Sequence, residues 1–431
     1  MKAGASKVEI TPKIGVWLDG IPRDKPSDSI LSPLYARTLY ITNGITEVVI
    51  VVCDVIGLDE RDVTEIKRSI EKQIGISEEN IVIASTHTHS GPSTLGILAP
   101  KEMDYLKELP PKIIHAVIEA KKSAADCKIK VTYGYEPMIS EYRRLKDKNG
   151  KIWMNWEEYD KNNIVGPAGP YDPEVGIISI VDNSDNTIAL LFNHTGHPNT
   201  LTGFDYAITS DYPGEACRLL EDKFGGTAIF FNGAQGSSDI PGFNDRNPEG
   251  IKKRGKILYQ AVVDTLDENK EEYIFTNKLG ILKVKVKIPR REIPNSEIEN
   301  AKEIIQRANH GEKSLRDGVD EDIYAKWLLD LLAENKESYL LPFSGIRIGD
   351  AYIFAEPGEL FTEIGLRIKK YSPFTYTFIM GLADGYFGYI PTARAIREGG
   401  YATRTGIHSK LDKHAENYII ATAIRLGEEL I

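Results

Sequence analysis

The sequence predicts a mixed α/β protein, with mixed β-sheets flanked by helices. Three observations predict it. Strand-like and helix-like signals alternate through the first third of the chain, the rhythm of a layered α/β architecture. The strand signals are short apolar runs rich in Val and Ile, as expected of strands inside an α/β core. Two of these runs lead straight into polar segments that carry histidines, and α/β proteins place ligands at strand ends.

Taken in order, Leu39–Thr42 and Glu47–Val52 read as strands around the turn Asn43-Gly44. Glu60–Ile74 reads as an amphipathic helix, because Val63, Ile66, Ile70 and Ile74 recur at three- and four-residue spacing. Asn80–Ala84 is the next strand, and Ser90-Gly91-Pro92 ends the extended stretch that follows it. From Lys146 to Asp172 the chain is polar and rich in Trp, Asn, Gly and Pro, so a long loop or lid is expected. Thr187–Phe192 is a strand, Asp211–Phe224 a helix and Ala228–Phe231 a short strand. Residues 250–266 read as a helix and Lys278–Ile288 as an alternating strand. Ser296–Asn335 is charged and mainly helical, with a break near His310-Gly311. No internal repeat or low-complexity linker divides the 431 residues. One intertwined domain over residues 1–431 is therefore expected.

Composition excludes several function classes. The net charge is −10 and no Lys/Arg block is present, which argues against nucleic acid as a partner. Cys53, Cys127 and Cys217 are scattered and odd in number, so a reducing compartment fits best. The N-terminal residues lack an apolar signal-peptide core, and no apolar stretch approaches a bilayer span. A cytoplasmic protein without stable membrane anchoring is expected, with homo-oligomerisation open. Abundant Glu, Lys and Ile beside few Met and Cys hint at a thermophile.

The most informative feature is Ser85-Thr86-His87-Thr88-His89-Ser90-Gly91-Pro92. On an extended His-x-His both imidazoles point to one face. They can serve one site as two metal ligands, or as one ligand and one acid/base. A second cluster, His194 and His197, follows the strand ending at Phe192. Two histidine-bearing strand ends from distant parts of the chain point to one shared metal site. Later stretches add polar groups after apolar runs: Ala351 to Phe361 carries Glu356-Pro357-Gly358-Glu359, and Gly381 to Thr392 carries Tyr386 and Tyr389. Gly399-Gly400-Tyr401 follows. A Pro-Gly-Glu turn after a strand can present a carboxylate to a divalent metal.

Together these segments resemble the catalytic domain of the neutral/alkaline, non-lysosomal ceramidase family. The matching pieces are Thr86-His87-Thr88-His89-Ser90-Gly91-Pro92, His197-Pro198-Asn199-Thr200, Ser210-Asp211-Tyr212-Pro213-Gly214, Pro357-Gly358-Glu359, and Gly388-Tyr389 followed by Tyr401. They stand in the family's order over nearly the whole chain. The resemblance implies one zinc held by His87, His197, Glu359 and Tyr389. It implies that His89 moves protons and that Arg143 and Tyr401 donate to a developing oxyanion. Tyr142 replaces the Asn of the family's Asn-Arg pair, so Arg144 competes with Arg143. Ser237 matches the family's serine, although its surroundings, Ala234 to Asp239, lack the family's Gly-Asp, Pro and Asn. Asp211 would orient a histidine or cap the following helix.

Two departures bear on substrate. The chain ends about thirty residues after Tyr401, without space for the family's C-terminal immunoglobulin-like domain, and it shows no signal peptide. The expected activity is zinc-dependent hydrolysis of an amide (N-acyl) bond by zinc-bound hydroxide, on a small acyl or polar substrate. Trp153 and Trp156 would wall the mouth, with Asn155 as a polar contact. The alternatives are an esterase, a lactonase or another metal-assisted enzyme on a small polar or sugar-like substrate, and a non-catalytic metal- or ligand-binding protein.

Overall fold

The computed structural model describes residues 1–242, 245–269 and 272–431. Among these residues the main sheet has eight strands: β1 Lys2–Glu9, β2 Tyr35–Thr42, β3 Glu47–Cys53, β4 Ile81–Ser85, β5 Ala125–Tyr135, β6 Glu174–Asp182, β7 Thr187–His194 and β8 Thr227–Asn232. Their order is β8-β7-β6-β5-β1-β2-β3-β4. Only the two outermost pairs are parallel, β3 with β4 and β7 with β8. Each parallel pair needs a crossover, and helices α1 Glu60–Ile74 and α3 Asp211–Phe224 supply them. The sheet curls so that β8 packs across onto β2, β3 and β4. The two histidine-bearing ends thereby meet.

A second sheet of four strands lies against the first, in the order β9-β10-β11-β12: β9 Leu279–Pro289, β10 Ser338–Ile348, β11 Ala351–Ala355 and β12 Tyr376–Met380. Its β11 and β12 are again parallel, joined by the helix Thr362–Tyr371. The central core fills the space between the sheets. Strand β3 shows how: Val48, Ile50 and Val52 enter this core, while Val49, Val51 and Cys53 face the helices on the other side. Burial on both faces explains why the run Val48 to Cys53 is continuously apolar. Helix α1 and the helix α2, Met103–Lys122, cover one half of the main sheet. Helices α3 and α4, Pro248–Glu268, cover the other half. The C-terminal helix Ala415–Glu429 packs on the outer face of the second sheet.

Helices Glu60–Ile74 and Asp211–Phe224 have the bounds the sequence predicts. The Ser296–Asn335 stretch is two helices, α5 Asn295–Asn309 and α6 Glu321–Ala333, with a small hairpin between them. Lys146–Asp172 is not a structureless loop. It continues a three-stranded sheet of Arg144–Asp147, Ile152–Met154 and Ile164–Pro167, pinned by the buried Ile152 and Met154. Among the described residues no helix is long and apolar enough to cross a membrane.

Candidate metal centre

Three parallel β-helix-β units aim the carboxyl ends of their strands at one place, where α/β folds bind ligands. His87 follows β4, and His197 follows β7. Glu359 follows β11, and Tyr389 follows β12. Glu359 and Tyr389 are direct partners in a short parallel bridge, so one backbone contact holds both side chains in place.

His87 is buried with a left-handed backbone, φ +71°, a conformation that non-glycine residues adopt only when their surroundings impose it. Its backbone N–H donates to the Val55 carbonyl at 3.0 Å, and its Nδ1 lies 2.7 Å from the Ile56 carbonyl. A carbonyl only accepts, so Nδ1 carries a proton, and in the neutral ring that leaves the Nε2 lone pair facing the cluster. That Nε2 faces Glu359 Oε2 at 3.4 Å, and His197 Nε2 lies 3.2 Å from the same oxygen. None of these three atoms has a hydrogen-bond partner. Two acceptors facing each other in a buried site repel unless a cation lies between them.

The spacing fits a metal. Ligand atoms held about 2.0–2.1 Å from one zinc at the tetrahedral angle stand about 3.3 Å apart. The other carboxylate oxygen of Glu359 accepts from the Tyr386 hydroxyl at 2.8 Å, which fixes the direction of Oε2. Tyr386 stays a donor, since burial and the Glu359 charge raise its phenol far above the usual value.

His89 completes a triangle of imidazoles, with ring nitrogens of His87, His89 and His197 within 4.8 Å of one another. Two overlapping donor sets result, three imidazoles or two imidazoles with Glu359. The carboxylate approaches His87 and His197 within 3.4 Å, which favours the second set. Both ring nitrogens of His89 lack a protein partner, and the ring lines the adjoining cavity. Gly20 makes room for it: a Cβ there would come within 2.6 Å of the His89 ring.

The cavity beside the cluster has a volume of about 290 Å³. Tyr389, Tyr401, Trp156 and Trp327 form much of its wall. The Arg143 guanidinium stands 5.0 Å from the Tyr389 ring centre, 5.5 Å from Trp156 and 5.7 Å from Tyr401. Burial lowers the affinity of Arg143 for its proton, but Tyr389 and Glu359 outweigh burial and keep it charged. Burial pushes the Tyr401 phenol up to about 12, with Arg143 opposing. Also on the wall, Arg246 Nη2 reaches both oxygens of the buried Asp239 at 3.2 Å.

Other sequence-predicted residues lie elsewhere. Arg144 turns away and donates to the Gly399 carbonyl at 2.9 Å, so of the two adjacent arginines only Arg143 lines the cavity. The Ser237 hydroxyl is tied to Thr362, donating to Oγ1 at 3.0 Å and accepting from its N–H at 2.9 Å. Ser237 does not line the cavity. His194 faces the Glu136 carbonyl at 3.3 Å. Asp211 touches no histidine, and its Oδ1 accepts from the Tyr212 N–H at 2.6 Å, a free N–H in the first turn of the helix it opens. It accepts from the Thr200 N–H at 2.8 Å and from the Thr200 hydroxyl, and so anchors the loop that carries His197. Of the expected wall residues, Trp156 lines the cavity. Trp153 instead donates to Asp147 at 3.1 Å, and Asn155 donates to Glu141 at 2.8 Å.

One residue the sequence did not mark is Asn232, fully buried at the end of β8. Its Nδ2 donates to the Gly196 carbonyl at 2.8 Å and the Thr86 carbonyl at 3.3 Å. These are the residues just before His197 and His87. One carboxamide therefore sets the distance between the two histidine loops. Asn232-Gly233 at a strand end was the available signal.

Comparison with solved structures places the architecture. A crystal structure of neutral ceramidase from Pseudomonas aeruginosa matches with a TM-score of 0.73 at 16% identity, over 99% of this chain and 74% of that chain. A ceramidase structure described as complexed with C2 matches with a TM-score of 0.76 at 15% identity, over 100% of this chain and 75% of that one. No family model matches the sequence, and no curated protein matches it. Across its whole length, the chain carries the fold of the neutral ceramidases.

Proposed function

We propose that the protein is a zinc-dependent amide hydrolase acting on a small N-acyl substrate. The observation that carries this reading is the Glu359 Oε2 and His87 Nε2 pair, two buried acceptors 3.4 Å apart with a third donor atom, His197 Nε2, beside them. His87, His197 and Glu359 would hold the metal, with Tyr389 as the fourth ligand. Zinc bound there would bring the pKa of a coordinated water to roughly 7 and polarise a carbonyl. His89, uncommitted to any protein partner, would take a proton from water and return it to the leaving amine. Arg143 and Tyr401 would donate to the oxygen on which negative charge develops. Ser237 has no part in this chemistry, because its hydroxyl is engaged by Thr362.

The likeness to ceramidase structures supports an amide as the bond attacked. The cavity argues for a short substrate, since about 290 Å³ stands at the small end of ligand pockets, about 300–1,000 Å³. The test compares matched short-chain N-acyl and O-acyl substrates, and ceramide in detergent micelles, on protein whose zinc content has been measured. Chelator-sensitive turnover with the highest kcat/KM on the short amide is expected. Preference for the ester, or turnover indifferent to chelation, would overturn the reading.

A further inference from the structure

Helices α5 and α6 form a hairpin with a small core of its own, Ala301, Ala325 and Leu328 packed with Ile298, Ile304 and Leu332. Between this hairpin and the body of the protein lies a cavity of about 510 Å³, with Ala301, Ile304 and Ala325 on one side and Ile396 and Thr403 on the other. Helix α6 is seated on the body, with Leu331 in the core of the second sheet and the Trp327 ring 4.2 Å from that of His408, while the cavity separates the rest of the hairpin from the body, so local anchors fix where its tip sits.

The tip is a two-residue β-turn. Leu315–Arg316 pairs with Val319–Asp320, and the central Asp317 and Gly318 have φ +52° and +76°. Both values are positive, the requirement of a type I′ hairpin turn, and Asp-Gly is a sequence that meets it. The turn lies on Trp156. The indole Nε1 donates to the Asp317 carbonyl at 3.0 Å, and a Cβ on Gly318 would come 2.8 Å from the ring. Val319 lines the candidate site's cavity. The Asp317 carboxylate receives Arg404 Nε at 2.8 Å and Nη2 at 3.3 Å, a two-point contact with the loop just past Tyr401.

We infer that Asp317 and Arg404 form a latch that sets substrate length: it seats Gly318 on Trp156 and Val319 across the mouth, so that the site takes short acyl groups and rejects long ones. This rests on the reading of the site as an amide hydrolase, and it names the residues that would restrict that hydrolase. None of them touches the histidine cluster, but Trp156 also lies against Arg143 and Tyr401, so it is the ratio between chain lengths, and not the rate itself, that reads the latch.

The test uses two series on the zinc-loaded protein. Butanoyl and dodecanoyl p-nitroanilides report turnover. Alkanoyl hydroxamates of the same lengths report binding by indole fluorescence and need no turnover. In the wild type, the butanoyl member should be preferred in both series. Arg404→Ala should raise the dodecanoyl-to-butanoyl ratio roughly tenfold or more in both, and the charge swap Asp317→Arg with Arg404→Asp should restore the wild-type ratio. Melting curves of each variant establish that it is folded, and the swap keeps the test decisive if Arg404→Ala is not. A ratio unchanged in Arg404→Ala, or not restored in a folded swap, overturns the latch. A length cut-off in binding that Arg404→Ala relaxes, without any amide turnover, would sustain the latch and refute the hydrolase.

Discussion

Replacing Asn232 with alanine should weaken zinc binding out of proportion to its effect on stability. The side chain donates to two buried carbonyls, those of Gly196 and Thr86, and its Oδ1 accepts a third, longer bond from the Gly196 N–H at 3.4 Å. Each is worth about 1 kcal/mol net, and stranding the carbonyls adds to that, so a loss of about 2–4 kcal/mol of stability is expected. Asn193 offers a matched control. Its buried carboxamide also donates twice, to the Phe231 carbonyl at 2.8 Å and the Ile379 carbonyl at 3.0 Å, but neither acceptor precedes a histidine of the cluster. Asn193→Ala should cost similar stability and leave the histidine loops in register. Asn232→Ala lets those loops drift, and groups that orient metal ligands are worth about 10–100-fold in affinity. The assay is chelator competition for zinc on each variant, beside thermal melts of the metal-free proteins. Equal weakening by the two variants would reduce Asn232 to a packing residue, and a zinc Kd within about twofold of wild type would refute the reasoning.

Tyr386→Phe should weaken zinc binding about tenfold with little change in melting temperature, because it removes the donor that fixes the Glu359 carboxylate. Metal titration and melts of the same samples check this. His194→Ala should leave zinc content unchanged, since its Nε2 faces the Glu136 carbonyl and the converging imidazoles are those of His87, His89 and His197; elemental analysis showing lost zinc would return His194 to the ligand set. Lys369 clamps the helix after Glu359 to the start of β6, through Asp172 just before the strand at 2.7 Å and Glu174 at 2.8 Å. Burial lowers its ammonium, but the two carboxylates outweigh burial and raise it. A raised lysine contributes stability that is whole below its unfolded value, about 10.4, and is lost as pH climbs through the folded value. The melting temperature of the wild type should therefore fall more steeply above about pH 10.4 than that of Lys369→Met, and parallel curves would refute the clamp.

Much of the fold was legible because its elements carry their periodicity locally. Glu60–Ile74 shows an uninterrupted apolar stripe and ends on Gly75, whose left-handed φ of +75° closes the helix. Helix α2 was hidden for the converse reason. Pro110 and Pro111 sit inside it, and a proline pair reads as a break because each lacks an N–H for the helix ladder. The flap over residues 144–167 read as a loop because its strands are only three or four residues long. What orders it is buried contact from Ile152 and Met154, which leaves no periodic trace.

The site divides along the same line. The pairs His87/His89 and His194/His197 announce themselves as imidazoles at the ends of buried strands, but that position alone does not choose His197 over His194, the last residue of β7. Glu359 and Tyr389 do not announce themselves, since a turn glutamate and a tyrosine usually have bland explanations, and only the order of motifs drew them in. The arginines show what one further step of physical reasoning could have added. Neighbouring residues on an extended segment point to opposite faces. Arg144 Nη1 lies 3.3 Å from the Tyr142 hydroxyl, so residues 142 and 144 share a face, and Arg143 takes the other. Period-two alternation therefore allots one of the two adjacent arginines to the scaffold and the other to the cavity. Which one faces the cavity is set by the pairing of Glu141–Tyr142 with Ser238–Asp239, a contact across about a hundred residues of chain that no local pattern encodes. The same holds for Asn232: its chemistry is visible at a strand end, but its two acceptors come from loops that only the curled sheet brings together.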